Sequence, residues 1–244
     1  MGTETGTGTE TGTGTETGTG TETGAETGTG TGAGTGAGGL RAALARQPVI
    51  AVVRAPVIPD AVALCEALAE GGIAWTELTF TTPDVTRHLA RAAEAGCRIG
   101  VGTVLTADQA REGIAAGAGF LVTPGLRPAV ADTAREAGIP VVMGALTPSE
   151  VADAVDLGAA AVKIFPAKAF GPGYFKDLHG PYPGIPLVAS GGVNAGNAKA
   201  FLDHGALAVC AGTDVVPPRA VADGDWADIT RRAKEFTASL ALRD

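Results

Sequence analysis

Lys163 is the residue whose setting points most directly to chemistry. It lies inside Ala160-Ala161-Val162-Lys163-Ile164-Phe165, a run that is otherwise apolar. If its side chain faces inward, lost solvation of the ammonium favours the neutral amine, the form that attacks a carbonyl to make an imine. The other reading is an inward lysine neutralised by a carboxylate, a structural ion pair. Glu77 is the natural partner in both cases. Alternation through Thr76-Glu77-Leu78-Thr79-Phe80-Thr81 puts Glu77, Thr79 and Thr81 on one strand face. A carboxylate there serves as general acid/base, as partner for Lys163, or as both. Ser190-Gly191-Gly192 and Gly212-Thr213 offer backbone amides to a phosphate or carboxylate, with a following helix N-terminus adding its dipole. The plainer reading is that these glycines turn the chain. Arg54 carries a guanidinium suited to the same kind of anion, or to a rim acid. His88, His179 and His204 show no metal spacing and are expected at the surface or at helix ends. Trp75 and Trp226 read as packing residues. With no His/Asp/Glu cluster beside these groups, the expectation is chemistry without metal or cofactor.

Such groups need a scaffold, and the chain repeats one. Eight short runs rich in Val and Ile recur at Val49–Arg54, Ala74–Thr81, Arg98–Val104, Phe120–Thr123, Ile139–Gly144, Ala160–Pro166, Ile185–Ser190 and Leu207–Gly212. Between them lie Ala-rich amphipathic stretches that begin near Pro59, Pro83, Thr106, Arg127, Thr147, Tyr174 and Asn194, with a longer one after Asp225. Gly72, Gly96, Gly117, Gly138, Gly158 and Gly205 supply closing glycines, and Thr147-Pro148-Ser149-Glu150 reads as a capping box. Apolar strands without strict alternation indicate a parallel sheet covered by helices. Eight such units predict a (β/α)8 TIM barrel, with a doubly wound open sheet as the alternative. Leu40–Arg46 reads as a short helix plugging the barrel bottom. A barrel gathers its site at the C-terminal strand ends. Those ends carry Arg54, Glu77 with Thr79 and Thr81, Thr103, Pro124, Lys163 with Phe165, Ser190 with Gly191 and Gly192, and Gly212 with Thr213.

Composition divides the 244 residues near position 39. Residues 1–39 hold 15 Gly, 15 Thr and five Glu but no basic or aromatic residue, so a disordered tail is expected before a barrel at 40–244. All 18 Lys and Arg fall in the barrel segment, which leaves it near neutral although the whole chain is −8. That excludes a globally basic nucleic-acid binder. No apolar run approaches the ~18 residues of a membrane span, and no basic and apolar leader opens the chain, so a cytoplasmic protein is expected. Three widely spaced cysteines, Cys65, Cys97 and Cys210, argue against a disulfide framework.

Six segments in order resemble the class I 2-dehydro-3-deoxy-phosphogluconate aldolase / 4-hydroxy-2-oxoglutarate aldolase family. They are Pro48–Arg54, Gly71–Thr79, Gly100–Leu105, Thr123–Leu126, Val162–Ala167 and Ser190–Asn194. The resemblance runs from Leu40 to the C-terminus and implies that Lys163 is the Schiff-base lysine and Glu77 the proton shuttle. It implies that Thr103, Pro124 and Phe165 line the pyruvyl pocket, and that Gly191, Gly192 and Thr213 hold a distal phosphate. It also implies a homotrimer acting on a small, phosphorylated 2-oxo acid, with neither nucleic acid nor membrane as partner. Thr81 stands where gluconate-type members carry an arginine that holds the substrate carboxylate, a role Arg54 is placed to take. Ser190 stands where that pattern often has Thr. The expected reaction splits 2-dehydro-3-deoxy-6-phosphogluconate into pyruvate and glyceraldehyde 3-phosphate. The alternatives are 4-hydroxy-2-oxoglutarate, which gives glyoxylate, and the galactonate-type epimer. From a different class come a sugar-phosphate isomerase or epimerase, and a barrel that only binds a phosphorylated metabolite.

Overall fold

Short Val/Ile-rich strands buried on both faces can only form a parallel sheet covered by helices, and here the sheet closes on itself. A computed structural model describes Gly2 and residues 36–241. Its strands are β1 (Val49–Val53), β2 (Trp75–Thr79), β3 (Arg98–Gly102), β4 (Leu121–Val122), β5 (Val141–Ala145), β6 (Ala161–Ile164), β7 (Leu187–Ala189) and β8 (Ala208–Ala211). They pair in sequence order, all parallel, and β8 returns to β1 through Ile50 opposite Cys210. Each lies on its expected run, β5 reaching one residue past Gly144. The first helix begins at Ala37 rather than Leu40, so the last three residues of the expected disordered tail are helical, and apart from Gly2 and Gly36 the rest of that tail lies outside the described residues.

The helices are α1 (Ala37–Arg46), α2 (Ala61–Glu70), α3 (Val85–Glu94), α4 (Ala107–Ala115), α5 (Pro128–Glu136), α6 (Pro148–Asp156), α7 (Gly173–His179), α8 (Ala198–Asp203), α9 (Pro218–Asp223) and α10 (Trp226–Leu240). The six closing glycines all adopt positive φ, and the Thr147–Glu150 capping box forms in both directions. Two further differences from the sequence reading are local. Helix α8 starts at Ala198 rather than near Asn194. The Asn194 side chain accepts from the Gly196 N–H and the Asn197 side chain from the Asn194 N–H, so an Asx turn competes with the first helical turn. Helix α9, six residues opened by Pro217-Pro218, was not expected at all.

Alternation along the strands sorts side chains into two cores. Outward residues such as Val53, Leu78, Val101, Met143, Val162 and Ala189 pack under the helices. Inward residues near the strand starts, among them Ile50, Trp75, Val122, Val142, Ala161, Val188 and Ala208, fill the barrel's lower half. Leu40 and Leu44 of α1 join this inner cluster, and Phe120 packs edge-on against Trp75 at 5.8 Å between centroids. Arg41 ties the plug in place by donating to the carbonyls of Ala159 and Ala160. His88 corrects an expectation. It is buried on the inner side of α3 with Val85, Leu89 and Ala92, because its position continues that helix's apolar stripe. Burial, followed by the neighbouring Arg87, lowers its proton affinity.

Candidate active site

The strand C-termini open into a cleft of about 580 Å³ lined by Arg54, Lys163, Phe165, Ser190, Gly191, Gly192, Gly212 and Thr213. A groove of about 660 Å³ between α2 and α10 is larger, but it lies on the outer wall, away from the strand ends. Lys163 sits on the inner face of β6, buried at 7% exposure, with Nζ 5.7 Å from the Phe165 ring centroid. Its backbone pairs with Gly144 on one side and Val188 on the other.

Glu77 faces it from β2 and is buried to 1% exposure. Its Oε2 stands 3.8 Å from Lys163 Nζ, close enough for attraction but too far for a hydrogen bond, and no other group bonds to that oxygen. A buried carboxylate oxygen left without a donor is unusual, and Trp75 Nε1 below it on the same strand is likewise without a partner among the described residues. Burial pushes the Glu77 carboxyl above its ordinary value of 4.5, while Lys163 and Arg54 pull it partly back. The group therefore holds a proton at a pH where exposed carboxylates have lost theirs, which suits general acid/base work.

Above this pair, Arg54 is fixed by two hydroxyls. Nη1 donates to Thr81 Oγ1 at 2.7 Å and Nη2 to Thr103 Oγ1 at 3.3 Å. Thr79 spends its single hydroxyl proton on the Val53 carbonyl at 3.2 Å, so Thr81 must donate to Thr79 across 2.8 Å. Thr103 is held in the left-handed region at φ 57°, a strained conformation for a β-branched residue. Pro124 packs its backbone against Gly144, next to Lys163 in the sheet. All twelve residues singled out from the sequence thus lie in the cleft, in this hydroxyl cluster, or against its wall.

Farther out, Gly191 and Gly192 take φ of 90° and 81° in succession and both line the concave outer end of the cleft. The backbone N–H groups of Gly192, Val193, Thr213 and Asp214 have no hydrogen-bond partner among the described residues. The loop that leads from them to α8 has its own amides occupied. The amides of Asn194, Ala195 and Gly196 are taken by Asn197, Asp214 and Asn194 respectively.

Residues 40–232 match the sequence profile described as KDPG and KHG aldolase. The chain belongs to this aldolase family. A 2-dehydro-3-deoxy-phosphogluconate aldolase of Treponema pallidum is 35% identical over 196 residues, spanning 79% of this chain and 93% of its own. The KHG/KDPG aldolase of Escherichia coli K12 is 32% identical over 203 residues, 82% of this chain and 95% of its own. Among solved structures, a KDPG aldolase from Legionella pneumophila, with pyruvate captured at low pH as a covalent carbinolamine, matches with a TM-score of 0.74 at 31% identity. It covers 80% of this chain and 96% of its own.

In this member of the aldolase family the structure adds residues that the sequence did not single out. Gly102, opposite Thr79, leaves the space that Glu77 fills, since a methyl there would overlap Oε1. Gly144 does the same for the Pro124–Gly125 backbone. Cys210 is the inward residue of β8 below the cleft, and burial pushes its thiol up to about 11, so it stays protonated. Asp214 places a carboxylate at the outer end. Inward alternation was the available signal for Gly102, Gly144 and Cys210. Among the described residues no three His, Cys, Asp or Glu side chains gather as a metal site, and no helix is long and apolar enough to cross a membrane.

Proposed function

We infer that the chain is a class I aldolase that cleaves 2-dehydro-3-deoxy-6-phosphogluconate to pyruvate and glyceraldehyde 3-phosphate. The observation that carries this reading is a buried lysine amine facing, at 3.8 Å, a carboxyl whose proton affinity burial has raised. The Lys163 amine attacks the C2 ketone, and Glu77 gives its proton to the carbinolamine hydroxyl, which leaves as water to give a protonated imine and a Glu77 carboxylate. Glu77 takes the C4 hydroxyl proton as the C3–C4 bond breaks, and the bond's electrons flow into the imine to form an enamine. Glu77 then returns a proton to C3, and hydrolysis frees pyruvate and Lys163.

Arg54, steadied by Thr81 and Thr103, is placed to hold the C1 carboxylate in the absence of an arginine at Thr81. Pro124 and Phe165 flank the pyruvyl group. Ser190, Gly191, Gly192, Gly212 and Thr213 form the distal end, where free amides suit the 6-phosphate. Family resemblance extends the reading to a homotrimer in the cytoplasm. A designed cage built by fusing symmetric oligomeric domains, 29% identical with a TM-score of 0.74, supports an oligomer. Sedimentation equilibrium at three times the mass of one chain is the expected result.

Borohydride with pyruvate tests the mechanism. The chain offers five lysines, Lys163, Lys168, Lys176, Lys199 and Lys234, and the adduct is expected on Lys163 alone. Lys163→Ala and Lys163→Arg abolish labelling, the latter because a guanidinium is not a nucleophilic amine. Glu77→Gln still labels but loses cleavage. An active enzyme with no adduct, or with one elsewhere, sinks the imine and leaves an isomerase with Glu77 as base.

A further inference from the structure

The cations that line the cleft, Arg54 and Lys163, both sit at its inner end. At the outer end the only charged side chain on the lining is Asp214, an anion, tied through Oδ2 to the Ala195 N–H at 3.0 Å. A phosphate in the Gly191–Gly192 concavity would meet four free amides and one carboxylate, but no opposite charge. That is an incomplete anion site.

One residue just outside the lining can complete it. After β6 the chain makes a single 3-10 turn, Ala167–Ala169, which is laid along the β7 loop by two backbone bonds. Ala167 N–H donates to Ser190 O at 2.7 Å, and Lys168 N–H to Gly191 O at 3.0 Å. The Lys168 stem then crosses Gly192. Its Cβ, Cδ and Cγ lie 2.6, 2.8 and 3.0 Å from where a Cβ on Gly192 would stand. Lys168 is exposed, and among the described residues its ammonium has no ion-pair or hydrogen-bond partner. The two backbone bonds fix where the stem begins, and the absence of a side chain at Gly192 leaves the room it crosses.

We propose that Lys168 is the specificity cation of the outer subsite, its ammonium pairing with the phosphate of a phosphorylated 2-oxo acid. Gly192 then has a second role besides its positive φ, because any side chain there would displace the Lys168 stem. The assignment rests on the phosphate reading of the Gly191–Gly192 concavity given above.

The test compares KM for 2-dehydro-3-deoxy-6-phosphogluconate with KM for 4-hydroxy-2-oxoglutarate, which lacks the phosphate. Lys168→Ala raises the ratio of the first to the second about fivefold, and Lys168→Glu raises it further, as expected for loss and reversal of one partly solvated charge. Lys168→Arg restores the ratio. In the wild type, added salt raises KM for the phosphorylated substrate more steeply than it does in Lys168→Gln, because one screened attraction has been removed. An unchanged ratio in both Lys168→Ala and Lys168→Glu overturns the proposal, as does equal harm to both substrates, which marks a structural role. Gly212→Asp separates the two levels, because Gly212 lines the outer end at ordinary φ and a Cβ there meets nothing within 4 Å. If it fails to discriminate between the substrates, the phosphate concavity itself is wrong and Lys168 falls with it. If it discriminates while Lys168→Glu does not, only the Lys168 assignment fails.

Discussion

The two ends of one barrel are built by opposite rules. At the lower end most inward positions are apolar, from Ala161 and Ala208 to Ile50 and Trp75, and Leu40 and Leu44 of α1 close the opening. At the upper end the same strands present glycines, a lysine and a carboxyl. A threonine there is held at φ 57°. Successive inward residues lie two positions apart, so the change of rule occurs within a single step along each strand. On β2 it falls between Trp75 and Glu77, and on β6 between Ala161 and Lys163. The lower layer supplies burial, which at ~25 cal/mol per Å² stabilises the ring, and the upper layer draws on that stability to keep groups in costly surroundings.

The contrast can be broken from the top first. Gly102→Ala puts a methyl where the Glu77 carboxyl lies, so kcat for cleavage falls about 100-fold, the scale of a displaced catalytic group, while pyruvate labelling at Lys163 persists. A variant within twofold of wild-type kcat means the glycine is not a spacer for the carboxyl. From the bottom, Leu44→Ala removes a fully buried plug residue and lowers unfolding free energy by about 2–5 kcal/mol in denaturant. Its kcat stays at the wild-type level, and a parallel loss of activity would show that the two ends are not separable.

The smallest expected effect is a slope. The folded-state affinity of Glu77 for its proton is raised above the ordinary 4.5, so between that pH and the raised value the folded chain binds more protons than the unfolded one. Wild-type stability therefore declines as pH rises through this window, and Glu77→Gln lacks that component of the decline. The difference in melting temperature, Gln variant minus wild type, grows more positive with pH across the window and then levels off. A difference that shrinks with rising pH means Lys163 outweighs burial at this carboxyl.

Much of this contrast is legible in one dimension. Period-two alternation puts Glu77 and Lys163 inside, because a strand has only two faces and the outer one is claimed by Leu78, Val162 and Ile164. The same alternation puts the glycines at 102 and 144 inside but does not say what they make room for. A glycine records the absence of a side chain, and what fills the space comes from another strand or loop. The Asn194 region misled for a related reason, since an Asx turn and a helix N-terminus use the same residue types and differ only in which amide each side chain reaches. His88 was misplaced by residue type alone, although its spacing from Val85, Leu89 and Ala92 already described a buried stripe.

Arg41 has a consequence for the order of assembly. Its guanidinium donates to carbonyls 118 and 119 positions later in the chain, at the threshold of β6. During synthesis α1 emerges long before those carbonyls do, and its two leucines have no completed barrel interior to enter. The earliest helix of the barrel can therefore make this contact only once the chain has been made as far as Ala160, the residue before its sixth strand.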